Sequence, residues 1–409
     1  MPSPRCNRST LPTLALPCYL LSPRSFNAKA IAVPAPTLLQ IVPTLAGGGL
    51  ARATLDAAQA VIAAGGSAIV ASPGGSMVPD LLRLRASHLE LPESSHAVWG
   101  RLTLPGKLAS SLREAKVDVV QARSPATAWV ARALARRLGI KWIATLHRPF
   151  IARDLAGRFV ERRQARADAV VAVSGHVARD ALQRFPTLED RLETIPTGVN
   201  FDRFDPAIVR ADRLIRLAGE LRVPDGAHLV LCPARFGEDN GQKILIEAIR
   251  RLEREDVFCL LLGSTGQPMP FEKELEGAIV KAGMQGRVQI GPYVDDMPAA
   301  YMLADVVVAT GGARQGFSRT LVEAQAMGRP VVAEDGGGAA EAIRSGVTGW
   351  LAPQGDPAAL AEALQAALSL STERRAELAR AAQEHVRSHF SLVQSNQQLL
   401  ALYHRLADR

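Results

Sequence analysis

The stretch Asp305-Val-Val-Val-Ala-Thr-Gly-Gly-Ala-Arg-Gln315-Gly-Phe-Ser-Arg-Thr-Leu-Val-Glu323-Ala-Gln-Ala-Met-Gly328-Arg-Pro-Val-Val-Ala-Glu-Asp335 decides the fold. Asp305–Ala309 reads as a short buried strand and Gly311–Ser318 as a glycine-bearing loop. Arg319–Met327 reads as a helix halted by Gly328, and Pro330–Ala333 as the next strand. The apolar runs on either side of the helix are those of strands covered on both faces, which makes the unit β-α-β. Its loop aims backbone N–H groups and a helix N-terminus into one cleft, a geometry suited to an anionic diphosphate. Glu323 lies on the helix just past the loop, within reach of a ribose hydroxyl.

The same alternation runs through the chain. Strands at Leu38–Val42, Ala68–Ala71, Val117–Gln121 and Trp142–Thr145 alternate with helices near 50–64, 102–114 and 126–138. A second series follows at His228–Cys232, Val257–Leu262 and Val288–Ile290, with helices between. Strict alternation implies a parallel sheet covered by helices, here twice over. The boundary is expected between Asn200 and Val223, where Asn-Phe-Asp-Arg-Phe-Asp-Pro precedes a helical stretch and Pro224-Asp-Gly restarts the pattern. The expected organisation is a disordered lead-in over 1–36, an N-terminal domain over 37–200, a C-terminal domain over 201–388, and a closing helix over 389–409. The lead-in holds seven prolines and no acid, and Pro12 and Pro17 interrupt its apolar part, unlike the core of a secretory signal.

Composition narrows the function classes. With 409 residues, 47% apolar and 22% charged, the chain accommodates two α/β domains. It has no run of ~18 apolar residues, so a transmembrane helix is excluded. Cys6, Cys18, Cys232 and Cys259 lack metal-ligand spacing, and the last two sit in apolar runs as packed thiols, which places the protein in the cytoplasm. Residues 1–200 carry 25 Lys and Arg against 13 Asp and Glu, whereas residues 201–409 carry 23 against 27. The basic first half fits an anionic acceptor or peripheral contact with the anionic inner face of the plasma membrane; solubility charge is the plainer reading. Only 5% of residues are aromatic and no stacking platform is apparent, so nucleic acid is a poor partner. A nicotinamide oxidoreductase fails on its own motif, since no Gly-x-Gly-x-x-Gly with a following acid opens the first domain.

The opening stretch resembles the donor-site signature of retaining glycosyltransferase family four, whose members have the GT-B fold: two Rossmann-like domains facing across a cleft. The resemblance extends to Gln40-Ile-Val-Pro-Thr-Leu-Ala-Gly-Gly-Gly-Leu-Ala-Arg52, Asp118-Val-Val-Gln-Ala-Arg-Ser, Thr145-Leu-His147, Ile195-Pro-Thr-Gly-Val-Asn-Phe-Asp-Arg-Phe204 and Pro233-Ala-Arg235. In wording it is nearest to bacterial members that build lipopolysaccharide core or other cell-surface polysaccharide. The resemblance implies a hexosyltransferase-type enzyme that moves a sugar from a nucleoside-diphosphate donor to a glycan or glycolipid acceptor, with no metal or other cofactor.

Carried over residue by residue, Arg235 stabilises the leaving diphosphate, Gln315 contacts the sugar, and His147 meets it from the other domain. Glu323 holds the ribose. Asn240, Gly316, Phe317 and Ser318 complete the donor loop, while Tyr293 and Val294 clasp the base. Gly48, Gly49 and Arg52 form the first glycine loop, on the acceptor side. The bland readings remain: Arg235 as a solvated loop arginine, His147 as a structural histidine. Three positions depart from the family pattern. Gln315 stands for a Glu, Asn240 for a Lys, and Ala51 for a Glu. A lost charge-assisted contact is worth about 1.5–3 kcal/mol, so the alternative is a catalytically silent paralogue that binds a nucleotide, glycan or partner. Lys243, three residues on, is the nearest candidate to stand in for the lysine expected at 240.

Overall fold

The computed structural model describes residues 35–92, 98–112, 114–152, 154–264 and 270–408. The lead-in expected over 1–36 thus falls outside the described residues except at its end. There Ala35 is buried and its N–H donates to Ala64 O at 3.2 Å.

Two parallel sheets form. The first contains β1 (Leu38–Ile41), β2 (Ala68–Ser72), β3 (Ser87–Glu90), β4 (Val119–Ala122), β5 (Lys141–Leu146), β6 (Ala169–Ala172) and β7 (Leu192–Thr194), in the order β3-β2-β1-β4-β5-β6-β7. The second contains β8 (His228–Pro233), β9 (Val257–Ser264), β10 (Val288–Pro292), β11 (Val306–Ala309), β12 (Val331–Glu334) and β13 (Trp350–Ala352), in the order β10-β9-β8-β11-β12-β13. In each sheet the order reverses beside a central strand, and the loops leaving the C-terminal strand ends there open into a crevice. The fold is GT-B, two Rossmann-like layers of parallel sheet and helix.

The central strands are mostly apolar and buried because helices cover both faces, with Gln40 and Gln121 as buried polar exceptions. Val119-Val-Gln-Ala and Ala169-Val-Val-Ala are buried at every position. At the sheet edge β3 differs: Ser87 and Glu90 are exposed, and His88 and Leu89 are half-buried. Cys232 and Cys259 pack on neighbouring strands; burial pushes the Cys232 thiol up to about 12, although Thr310 opposes it.

Two segments tie the lobes. The chain leaves the first sheet after β7 and runs through Val199, which packs with Phe204, Leu217 and Leu221 in the core of the second lobe. The return crosses beside it: Val199 N–H donates to Phe390 O at 2.7 Å, and Leu392 N–H to Val199 O at 3.0 Å. Helix Leu392–Ala407 then lies on the first lobe, where Leu402, Tyr403 and Leu406 join Leu38, Val42 and Leu55. Tyr403 places its hydroxyl inside, donating to Gln121 Oε1 at 2.8 Å.

Gly198 sits at this crossing, where an added Cβ would lie 2.3 Å from Leu392 N. Gly198→Ala should therefore cost about 1–3 kcal/mol in urea unfolding. Gly219→Ala, on helix Ala211–Glu220 with open space around it, should be neutral or stabilising. Equal effects at both positions would contradict the close approach.

Candidate active site

The site is assembled from strand ends. β11 is followed by the loop Thr310–Ser318, and helix Arg319–Ala326 starts at Ser318 with no side-chain cap on its first turn. The loop is pressed against the first lobe. A Cβ on Gly316 would stand 2.2 Å from His147 O and 2.9 Å from Arg148 Cα, so only glycine fits. Ser174 Oγ donates to Gly316 O at 2.6 Å, and His176 Nε2 to Ala313 O at 3.0 Å. From behind, Gly338 N–H donates to Gln315 O at 3.1 Å. At the N-terminus of helix Gly175–Arg184, Gly175 N–H and Arg179 both bind Glu341, at 2.9 and 3.2 Å.

His147 follows directly on β5, beside this loop. Its Nε2 is buried without a hydrogen-bond partner. Burial first, then the nearby guanidiniums of Arg123, Arg148 and Arg319, hold its pKa down to about 3, so the imidazole is neutral at physiological pH. A neutral ring with one open nitrogen accepts or donates a hydrogen bond, which suits contact with a sugar hydroxyl.

Gln315 and Asn240 touch. Gln315 Nε2 donates to Thr310 O at 2.7 Å and to Asn240 Oδ1 at 3.4 Å, while Asn240 Nδ2 donates to Arg235 O at 2.8 Å. The two positions where the family resemblance leads one to expect opposite charges thus form one neutral amide pair. Lys243 does not replace the missing cation: its ammonium donates to Glu274 at 2.7 Å, away from the loop. The Arg235 side chain is exposed and makes no hydrogen bond or ion pair among the described residues, whereas its carbonyl receives both Asn240 and Gln242.

Glu323 is 8% exposed, and each of its oxygens accepts one hydrogen bond. Tyr301 hydroxyl donates to Oε2 at 3.1 Å and Arg319 Nε to Oε1 at 3.1 Å. Arg319 in turn reaches across the cleft, where Nη1 meets Asp56 Oδ2 at 3.1 Å on helix Gly48–Ala63. Burial alone would lower the Arg319 pKa; Glu323 and Asp56 outweigh it and raise it. The first glycine loop comes close as well. Gly47 and Gly48 have left-handed φ of 102° and 83°, and Cβ positions on Gly47 and Gly49 lie 3.6 Å from the Tyr293 ring and 3.4 Å from Arg319 Cδ. Arg52, one turn before Asp56, is half-buried, and burial followed by Arg203 lowers its pKa. Tyr293 is half-exposed, and burial, then Asp295, raises its pKa; Val294 beside it is buried.

The structure therefore gathers Gln315, Gly316, Asn240 and His147 at one end of the crevice, and Glu323, Tyr293, Gly48, Gly49 and Arg52 around Arg319. Phe317 turns inward, its ring 5.5 Å from Phe390 at the lobe crossing, and Ser318 starts the helix. Three residues escaped the sequence reading. Arg319 and Asp56 were legible only as partners of residues one turn away, Glu323 and Arg52. Glu334 ends β12 at 2% exposure, its two oxygens accepting Gly311 N–H at 2.6 Å and Gly355 N–H at 2.7 Å. An acid closing an otherwise apolar strand was its only signal.

Comparison with known proteins agrees with this geometry. Residues 216–385 match the model described as glycosyl transferases group 1, and residues 47–203 match that of glycosyltransferase family 4. The second lobe thus carries a group 1 glycosyl transferase domain, and the first a glycosyltransferase family 4 domain. Among solved structures, this chain is similar to a glycosyltransferase from Rickettsia africae, with TM-score 0.81 and 28% identity over 91% of this chain and 99% of that one. It also shares the fold of HepE from Anabaena, solved in complex with UDP-glucose, at TM-score 0.79 and 22% identity over 91% and 100% of the two chains. Among curated proteins it is 34% identical over 229 residues to a D-inositol 3-phosphate glycosyltransferase of Xylanimonas cellulosilytica, 54% of each chain. A putative colanic acid biosynthesis glycosyltransferase of Escherichia coli, WcaL, is 28% identical over 55% of this chain and 54% of its own. The alignments thus span about half the length of these curated relatives.

The amide pair makes a sharp prediction. Gln315→Glu alone sets a carboxylate against Thr310 O and Asn240 Oδ1 and should cost about 1–3 kcal/mol. Adding Asn240→Lys should recover at least about 1 kcal/mol as coupling in a double-mutant cycle read by urea unfolding. Additive effects would show that the two side chains do not act as a unit.

Proposed function

We propose that this glycosyltransferase moves a hexose-type sugar from a nucleoside-diphosphate donor to a glycan or glycolipid acceptor, in the assembly of lipopolysaccharide or another cell-surface polysaccharide. The observation that carries the donor half is the contact of the loop Gly312–Ser318 with His147. It sets an uncapped helix start, an open imidazole nitrogen and a buried carboxylate, Glu323, along one crevice. The uncapped first-turn N–H groups favour diphosphate oxygens. Arg235 adds a two-pronged cation for the leaving group, whose developing charge is then met without a metal.

In this reading Glu323, its oxygens already oriented by Arg319 and Tyr301, receives the ribose hydroxyls, while Tyr293 and Val294 flank the base. His147 and Gln315 bind the sugar from opposite lobes. Departure of the diphosphate leaves positive charge at the anomeric carbon, and the acceptor hydroxyl attacks on the same face, giving retention. The bond to the diphosphate oxygen breaks as the new glycosidic bond forms, and the acceptor proton passes to the leaving oxygen. The UDP-glucose found in the Anabaena neighbour makes UDP-sugars the first donors to try, and the WcaL relative supports a surface polysaccharide as product. The protein works in the cytoplasm. No described helix is long and apolar enough to cross a membrane.

One observation favours the silent paralogue. The Gln315 Nε2 is taken up inside the loop by Thr310 O, which leaves only the neutral Oε1 to meet the sugar and no carboxylate charge at the anomeric centre.

The test is release of nucleoside diphosphate from UDP-, GDP- and ADP-sugars in EDTA, with the product anomer read by NMR. Retained configuration, with kcat falling about ten- to a hundredfold in Arg235→Ala, is the expected result. Nucleotide binding without release from any donor would favour the silent reading.

A further inference from the structure

The segment that leaves β5 carries a surface that donor chemistry does not use. Ile151, Leu155 and Phe159 are exposed by 47%, 84% and 56%, and the last two lie one turn apart on helix Leu155–Gln164. Guanidiniums surround them. Arg158, Arg162 and Arg166 are exposed on the same helix and just beyond it, and Arg132 and Arg136 come from the neighbouring helix Pro125–Leu138. Arg163 lies against aromatic faces, 3.1 Å from the Trp129 ring centre and 4.4 Å from that of Phe159.

The local acids do not balance this charge. Asp154 caps the helix through Gly157 N–H at 3.1 Å, and Glu161 is buried and bound by Arg184 at 2.6 Å. Arg132 belongs to the same field: burial, then Arg136 and Arg166, lowers its pKa. Single exposed apolar residues are ordinary. Three at four-residue spacing, set in a field of one sign, match an interfacial surface: apolar tips for the acyl boundary, cations for phosphate headgroups.

We propose that this face docks on an anionic phospholipid bilayer, and that the acceptor is presented from that surface. The position fits. Ile151 is four residues after His147, whose carbonyl meets the donor loop, so the docking face and the crevice share one short segment. The acceptor half rests on the glycosyltransferase reading; the docking half stands on the surface itself.

Flotation of the full chain with vesicles separates the two. Binding is expected to mixed phosphatidylglycerol and phosphatidylcholine, weakly to phosphatidylcholine alone, and to fall with salt. Leu155→Ser with Phe159→Ser should abolish most of it. Arg158→Gln with Arg162→Gln should weaken it about twenty-fivefold, at about fivefold per arginine. Unchanged thermal melting and unchanged donor hydrolysis would show that both variants are folded. The proposal is overturned if the wild type does not float, if both variants float like the wild type, or if sedimentation shows that these side chains instead mediate self-association. Vesicle binding without donor turnover would count against the enzymatic reading alone.

Discussion

Between the end of β5 and the start of helix Arg319–Ala326 there is no room for a side chain. Gly316 fills that gap with backbone alone, pressed on the His147 carbonyl and held by the Ser174 hydroxyl. Everything else in the crevice takes its position from this contact. It fixes how far the second lobe reaches over the first, and sets His147 beside the donor loop instead of across open solvent. It also explains why the loop is rich in glycine on both strands' ends, since Gly337 and Gly338 back Gln315 and Gly316 as closely as Gly316 backs His147.

Charge is arranged around that contact in two different ways. At the Arg319 end it is concentrated: a guanidinium with 15% side-chain exposure lies between Asp56 and Glu323, one from each lobe. Taking these groups out of water is costly, and removal of one partner strands the others, at about 3–5 kcal/mol. Such a set stabilises little by itself but specifies one geometry, with Glu323 aimed and the lobes in register. At the Gln315 end the side chains are neutral. Gln315 Nε2 donates to Thr310 O and, at 3.4 Å, to Asn240 Oδ1, and Asn240 Nδ2 donates to Arg235 O, so the pair is held by amide hydrogen bonds without an ion.

Much of this was legible in the sequence. The apolar runs at Val119 and Val306 announce buried parallel strands because both faces are covered, and both lie in inner strands of their sheets. β3 was not legible, since the edge strand Ser87-His-Leu-Glu has no apolar run to betray it. The departures at Gln315 and Asn240 were visible, but their contact was not, because 75 residues separate them in the chain. Arg319 was hidden for a related reason. Its role comes from Asp56, 263 residues away, and an arginine opening a helix looks like a solvated one until the opposite lobe is in place. The exposed Leu155 and Phe159 were likewise silent, as burial is a property of the fold and not of the residue.

The cross-lobe contact of Asp56, Arg319 and Glu323 fixes the part of the crevice proposed to take the nucleoside diphosphate. Calorimetric titration of UDP, GDP and ADP into wild type and into folded Arg319→Met tests it most directly. Selective binding of one nucleotide by the wild type, weakened at least about tenfold in Arg319→Met, is the predicted result. Binding of none by the wild type, or equal binding by both proteins, would contradict it.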